Sequence, residues 1–168
     1  VDDSIGRNLQ SVGGAISGLA ERIDARTRQR ENFSAQVNAN LLQEQLNAEL
    51  TKATREAPAD GSGLHDGFMS GAVTPKVNAF LDTIKDPELR NRYAEQSKVW
   101  LETASNRAAD EEYKIGNSYS KNTINQTWGS KANSISQSPG DVQGYIDEMG
   151  ALIDSAPNLT AMDRLELK

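Results

Sequence analysis

Cysteine is absent, so neither disulfides nor thiolate metal sites are available to this chain. A single histidine, His65, leaves only carboxylates as further metal donors, and no Gly-rich phosphate loop follows a strand. Aromatics make up 5% and hydrophobic residues 36%, against a usual share of about 45–50% that counts Gly as well. Much of that 36% is Ala, so any core is thin. No apolar run approaches the roughly 18 residues of a membrane span, and no secretory leader is visible. Basic residues are outnumbered, 18 against 24, and the net charge of −6 disfavours nonspecific nucleic-acid binding by the whole chain.

Proline is also scarce, and its placing shows what is present. From Asp86 to Gln137 a Pro-led, nearly Gly-free stretch is long enough for one helix of about fourteen turns. Asp86 suits the cap, Pro87 the first helical position, and Glu88 the positive end of the dipole. Its large apolar residues include Leu89, Tyr93, Trp100, Ile124, Trp128 and Ile135, mostly at steps of four and seven, a narrow stripe that implies a helix only partly covered. Ser, Asn and Thr crowd Gly116–Ser138 and compete for backbone hydrogen bonds, so a bend is expected at Gly116 or Gly129, if anywhere.

A second long helix is predicted over residues 3 to 56. Ile5, Leu9, Val12, Ile16, Leu19 and Ile23 alternate steps of four and three, the heptad seam of a coiled coil or bundle. The next seam positions hold Arg26 and Arg30, either a gap in the packing or a polar register device, before Phe33 and Val37 restore the pattern. The stripe then moves to Leu41, Leu42, Leu46 and Leu50. Leu9, Val12, Ile16, Leu19 and Ile23 are the candidate self-association residues. Tyr93, Trp100 and Trp128 are the candidate packing anchors, though Trp100 and Trp128 with Tyr113 and Tyr119 could also be read as a stacking ladder for single strands. Arg22, Arg26 and Arg30 share one side of the helix and could face phosphates, lipid headgroups or an acidic partner, although Glu21, Asp24 and Glu31 are interleaved.

Pro58 with Asp60, Gly61, Ser62 and Gly63 forms a turn cluster, and Leu64 to Val73 reads as an ordered loop or short helical turn. Thr74 as cap and Pro75 at the first position open a short helix through Lys85. Ser138 and Pro139 open an amphipathic helix to about Ser155, and Thr160 with Asp163 resembles a capping box. The expected fold is therefore all-α, an elongated bundle or hairpin of two long helices with shorter ones packed on them. Residues 1–56 would form a coiled-coil-like helix and 57–168 a helical domain. The start at Val1 and the stop at Lys168, just after a new helix begins, read as an excerpt of a longer polypeptide.

Catalytic chemistry finds little support. His65 beside Asp66 has no recognisable nucleophile, so it is expected to be a loop residue making local hydrogen bonds. Asp110, Glu111 and Glu112 are adjacent on a helix, diverge around it, and are expected to be a solvated face.

Residues 57–168 resemble a segment of the internal virion proteins of tailed bacteriophages, the group ejected with DNA through the portal. The similar stretches are APADGSGLHDGFMSG, TPKVNAFLDTI, LRNRYAEQ, ADEEYKIGNSY and SPGDVQGYIDEMGALIDSAPNL. The resemblance implies a helical structural protein held in the capsid or tail, present in several copies beside the portal or other ejection proteins, and passing into the host envelope with the DNA. Some relatives carry a peptidoglycan-cleaving domain elsewhere. No such motif occurs here, so the chain is expected not to be an enzyme and to need no cofactor. The other readings are a DNA- or membrane-contact module and an accessory region of a peptidoglycan-cleaving protein.

Overall fold

The computed structural model describes the backbone over residues 3–137 and 139–168, and side chains over 17–137 and 140–168. The protein is all-α, with no strand among the described residues. The helices are α1 (Asp3–Glu56), α2 (Leu64–Phe68), a π-helical turn (Met69–Val73), α3 (Thr74–Asp82), α4 (Pro87–Gln137), a 3-10 turn (Pro139–Asp141), α5 (Val142–Ser155) and α6 (Ala161–Leu167).

The backbone forms two compact units, each drawing on both long helices. The first takes α1 through Gln45 together with Lys76–Trp100. Its core holds the small Ala35 and Ala39 with Leu42 from α1, Val77 and Phe80 from α3, and Ile84, Leu89 and Tyr93 around the start of α4. Asp86 caps α4 as expected, its Oδ1 accepting from the Leu89 N–H at 2.9 Å. Glu31 of α1 in turn accepts from the backbone N–H groups of Lys85 and Asp86, which ties the α3–α4 connection to α1.

The second unit comprises Leu46–Pro75 and Leu101–Lys168. Ile124, Met149, Ile153, Ala156 and Leu159 form its buried cluster, with Trp128, Leu152 and Leu167 packed against it. Asp60 Oδ1 accepts from the backbone N–H of Ser62 at 3.1 Å and its hydroxyl at 2.8 Å, which closes the predicted turn. Gly61 there has φ 76°, and a Cβ on it would lie 2.8 Å from the Glu112 carbonyl oxygen, so turn and helix meet backbone to backbone.

Two helix starts differ from the sequence expectation. Thr74 does not cap a new helix: it has φ −59° and ψ −48°, and its N–H bonds to the Met69 carbonyl in the π pattern. Pro75 has no N–H to close an ordinary turn and its ring crowds the carbonyl four residues back, which the wider π turn accommodates. At α5 the cap is Asp141, whose carboxylate accepts from Gly144 N–H at 3.1 Å, while Ser138 lies outside the described residues.

Gly116 and Gly129 lie within the continuous α4. Gly116 serves close packing, since a Cβ there would run into the Asn158 side-chain amide and come 3.2 Å from the Asp60 carbonyl oxygen. The polar run around it is used for tertiary bonds that hold the break after α5. Ser120 Oγ donates to the Pro157 carbonyl at 2.8 Å, and Asn117 Nδ2 donates to the Asn158 carbonyl at 2.7 Å and to Asp163 Oδ2 at 2.9 Å. Arg164 of α6 reaches back to the carbonyls of Ile153, Asp154 and Ala156, satisfying the open end of α5.

Both bonds of the expected capping box at Thr160 and Asp163 are present. Lys121 foremost, then the Thr160 N–H and Asn117, hold the Asp163 carboxyl far below the usual carboxylate range. Because the folded pKa is depressed, this stabilisation is complete above the unfolded value near ~3.9 and is lost as pH falls through the folded one. Asp163→Asn is therefore expected to lower the Tm at neutral pH, with the gap to wild type narrowing as the melts are taken below about pH 4. A gap independent of pH would assign the effect to shape alone.

Candidate interaction surfaces

The face of α1 that packs in the first unit is not the one bearing most of its large apolar residues. Leu19 (59%), Ile23 (56%) and Phe33 (70%) are exposed, as are Val37 and Leu41, while Ala35, Ala39 and Leu42 are buried. At about 100° per residue the two rows lie about 160° apart around the helix. The physical reason is size: small side chains let neighbouring helices approach closely, and the larger row is left on the far side. Leu9, Val12 and Ile16, the other seam candidates, lie outside the described side chains.

Arg22, Arg26 and Arg30 are exposed, and none has an ion-pair or hydrogen-bond partner among the described residues. Glu31 is turned away from them toward the α3–α4 connection, and Arg28 lies 4.0 Å from Asp86. The three arginines thus stand as uncompensated charge inside and beside an apolar row.

The aromatic candidates separate. Tyr93 is buried and Trp100 half-buried, with ring centroids 6.3 Å apart, and Phe80 lies edge-on to Tyr93 at 5.4 Å and 5.8 Å from Trp100. Trp128 sits against the cluster of the second unit, its indole N–H donating to the Leu167 carbonyl at 3.3 Å. Tyr113 and Tyr119 are exposed and line one pocket of the second unit.

In the second unit His65 lies on α2, and its bonds are not only local. Its Nδ1 is 2.8 Å from Asp66 Oδ1 and its Nε2 is 2.9 Å from Ser105 Oγ, 40 positions away on α4. The connectivity Ser–His–Asp is that of a hydrolase triad, but its setting is not. The Asp66 side chain is 92% exposed, so its charge is screened by water, and Ser105 lies inside α4, where backbone N–H groups are engaged in the helix ladder. The array's evident effect is to pin α2 to α4. Glu112 does the same, accepting from the His65 N–H at 2.7 Å, so it is partly buried and not on the solvated face expected of it. Adjacent acids on a helix diverge, and for that reason only one of the three meets α2; Glu111 pairs instead with Lys114 at 2.7 Å.

On α5 the apolar face is only half covered: Met149 and Ile153 are buried, while Val142 and Ile146 are exposed along a groove shared with Trp128 and Ile135. No metal-holding group of His and carboxylates occurs among the described residues, and no helix among them is long and apolar enough to cross a membrane.

Fold and surfaces together define an all-α protein. Comparison with protein-family models, curated proteins and solved structures gave no match.

Proposed function

We propose that this chain is a structural assembly protein, and that α1 provides the face through which copies associate. The observation that carries this reading is the exposed apolar row Leu19, Ile23, Phe33, Val37 and Leu41, on the side of α1 opposite its packed residues. A row of this size turned away from its own core favours burial against another molecule. The resemblance of residues 57–168 to internal virion proteins supports the more particular reading. In it, the chain is a non-enzymatic component of a tailed phage, carried in the virion with portal or other ejection proteins and released into the host envelope with DNA.

Light scattering with multi-angle detection on the full chain tests the assembly. The mass is expected to rise with concentration above that of one chain, and Ile23→Glu with Phe33→Glu is expected to return it to the monomer with helicity unchanged. A folded monomer at every concentration would overturn the assembly reading. Mass spectrometry of purified virions tests the location, and absence of the chain from them would remove the phage assignment. Binding of DNA or anionic vesicles that is lost at high salt, without self-association, would favour a contact module built on Arg22, Arg26 and Arg30.

A further inference from the structure

The exposed row of α1 continues past Val37 on the same side of the helix. Counting in heptads from Arg26 and Arg30, the next seam positions are Phe33, Val37, Asn40 and then Glu44. Asn40 and Glu44 are exposed, and Glu44, like Arg26 and Arg30, has no hydrogen-bond or ion-pair partner among the described residues. The seam of the first unit therefore reads, in order, two basic positions, two apolar ones, one amide and one acid.

We infer that α1 pairs with α1 of a second copy in the antiparallel sense, with Arg26 of each copy opposite the partner's Glu44. This deepens the assembly reading above and rests on it. The choice of partner and register follows from charge. A parallel, in-register pair would set Arg26, Arg30 and Glu44 each against its own like. An antiparallel pair brings the two kinds of seam position together in every layer, and sliding by one heptad changes every partner. One slide sets Arg26 against Val37 and Arg30 against Phe33; a second sets Arg26 against Arg30. A slide the other way places Phe33 against Glu44. The remaining register puts Phe33 against Val37 twice at the centre, Arg30 against Asn40 on either side, and Arg26 against Glu44 at both ends.

In that arrangement every seam position from Arg26 to Glu44, a span of about 27 Å, meets a partner of matching chemistry. The contact is isologous and closes as a dimer. The apolar centre supplies attraction, and the flanking pairs set direction and register, the use for which polar seam residues are best attested. A contact this short is expected to be weak and concentration-dependent.

The test is a charge exchange in the full chain, with mass and dissociation constant read by sedimentation equilibrium for Arg26→Glu, Glu44→Arg and the two together. Both side chains are exposed and without a partner among the described residues, so circular dichroism is expected to show the same helicity in all three. Each single change sets like charges opposite one another and is expected to weaken the dimer about tenfold or more, and the double change to restore it. A double variant as weak as the singles would overturn the register, as would an Arg26→Glu chain that associates as tightly as wild type, since parallel pairing only exchanges one like-charge pair at that position for another. Either would leave the assembly reading standing. A wild-type chain that stays monomeric would overturn both.

Discussion

Replacing Ile153 with Ala is expected to destabilise the protein by about 3–4 kcal/mol. Ile153 is fully buried on α5, in the cluster it shares with Ile124, Met149, Ala156 and Leu159. Truncation removes the transfer free energy of three carbons and leaves a cavity that two neighbouring helices, fixed by their own bonds, close only in part. Its backbone carbonyl also accepts from Arg164, so the residue stands where α5 ends and the chain turns toward α6. Ala has the higher helix propensity, which offsets a few tenths of a kcal/mol and does not change the sign. For a chain of this length the Tm is expected to fall by roughly 6–16 °C, measured by circular dichroism at 222 nm. A loss below about 1 kcal/mol would mean that the cluster collapses around the gap and is far less rigid than its burial indicates.

In the first unit, Phe80→Ala is expected to cost about 3–5 kcal/mol. Phe80 makes the two shorter contacts of the aromatic trio, edge-on to Tyr93 and tilted against Trp100. Its loss removes the ring's buried area and two aromatic contacts, each worth about 0.5–1.5 kcal/mol beyond area. Native-state hydrogen exchange is the sharper measurement, because faster exchange is expected at the amides of α3 and of α4 near Leu89–Ser97. Phe33→Ala is the matched control. The same chemical change at a 70% exposed position of α1 is expected to alter monomer stability by no more than about 0.5 kcal/mol. Equal losses at the two positions would contradict the assignment of the α1 faces.

Helix ends were the most legible part of the sequence, because a cap is a local chemical event. Asp86 before Pro87, and Thr160 with Asp163, need only their own few residues to satisfy the first N–H groups of a helix. Thr74 before Pro75 carries the same local pattern, yet the chain is already helical when it arrives there. A tertiary packing requirement upstream, with Leu64, Phe68 and Val73 all buried, decides between a cap and a π turn, and it leaves no mark in those two residues. The long-range bonds of Glu112, Ser105 and Asn117 were hidden for a related reason. Ordinary polar residues on a helix acquire a role only from what is folded against them. The seam of α1 was visible by its period, but period alone does not say which side faces the core. Ala35 and Ala39 take that side because closeness of approach outweighs side-chain area there.

The two tryptophans give the protein a built-in optical readout. Trp100 packs at a tilt against Phe80 and Tyr93 in the first unit, and Trp128 lies on the cluster of the second unit. Neither has another tryptophan to confuse its emission once the other is changed to Phe, as there are only 2 in the chain. The Trp100→Phe and Trp128→Phe chains would thus report the two units separately by fluorescence. Unfolding curves that coincide in both would establish one cooperative transition, and curves that part would show which unit yields first.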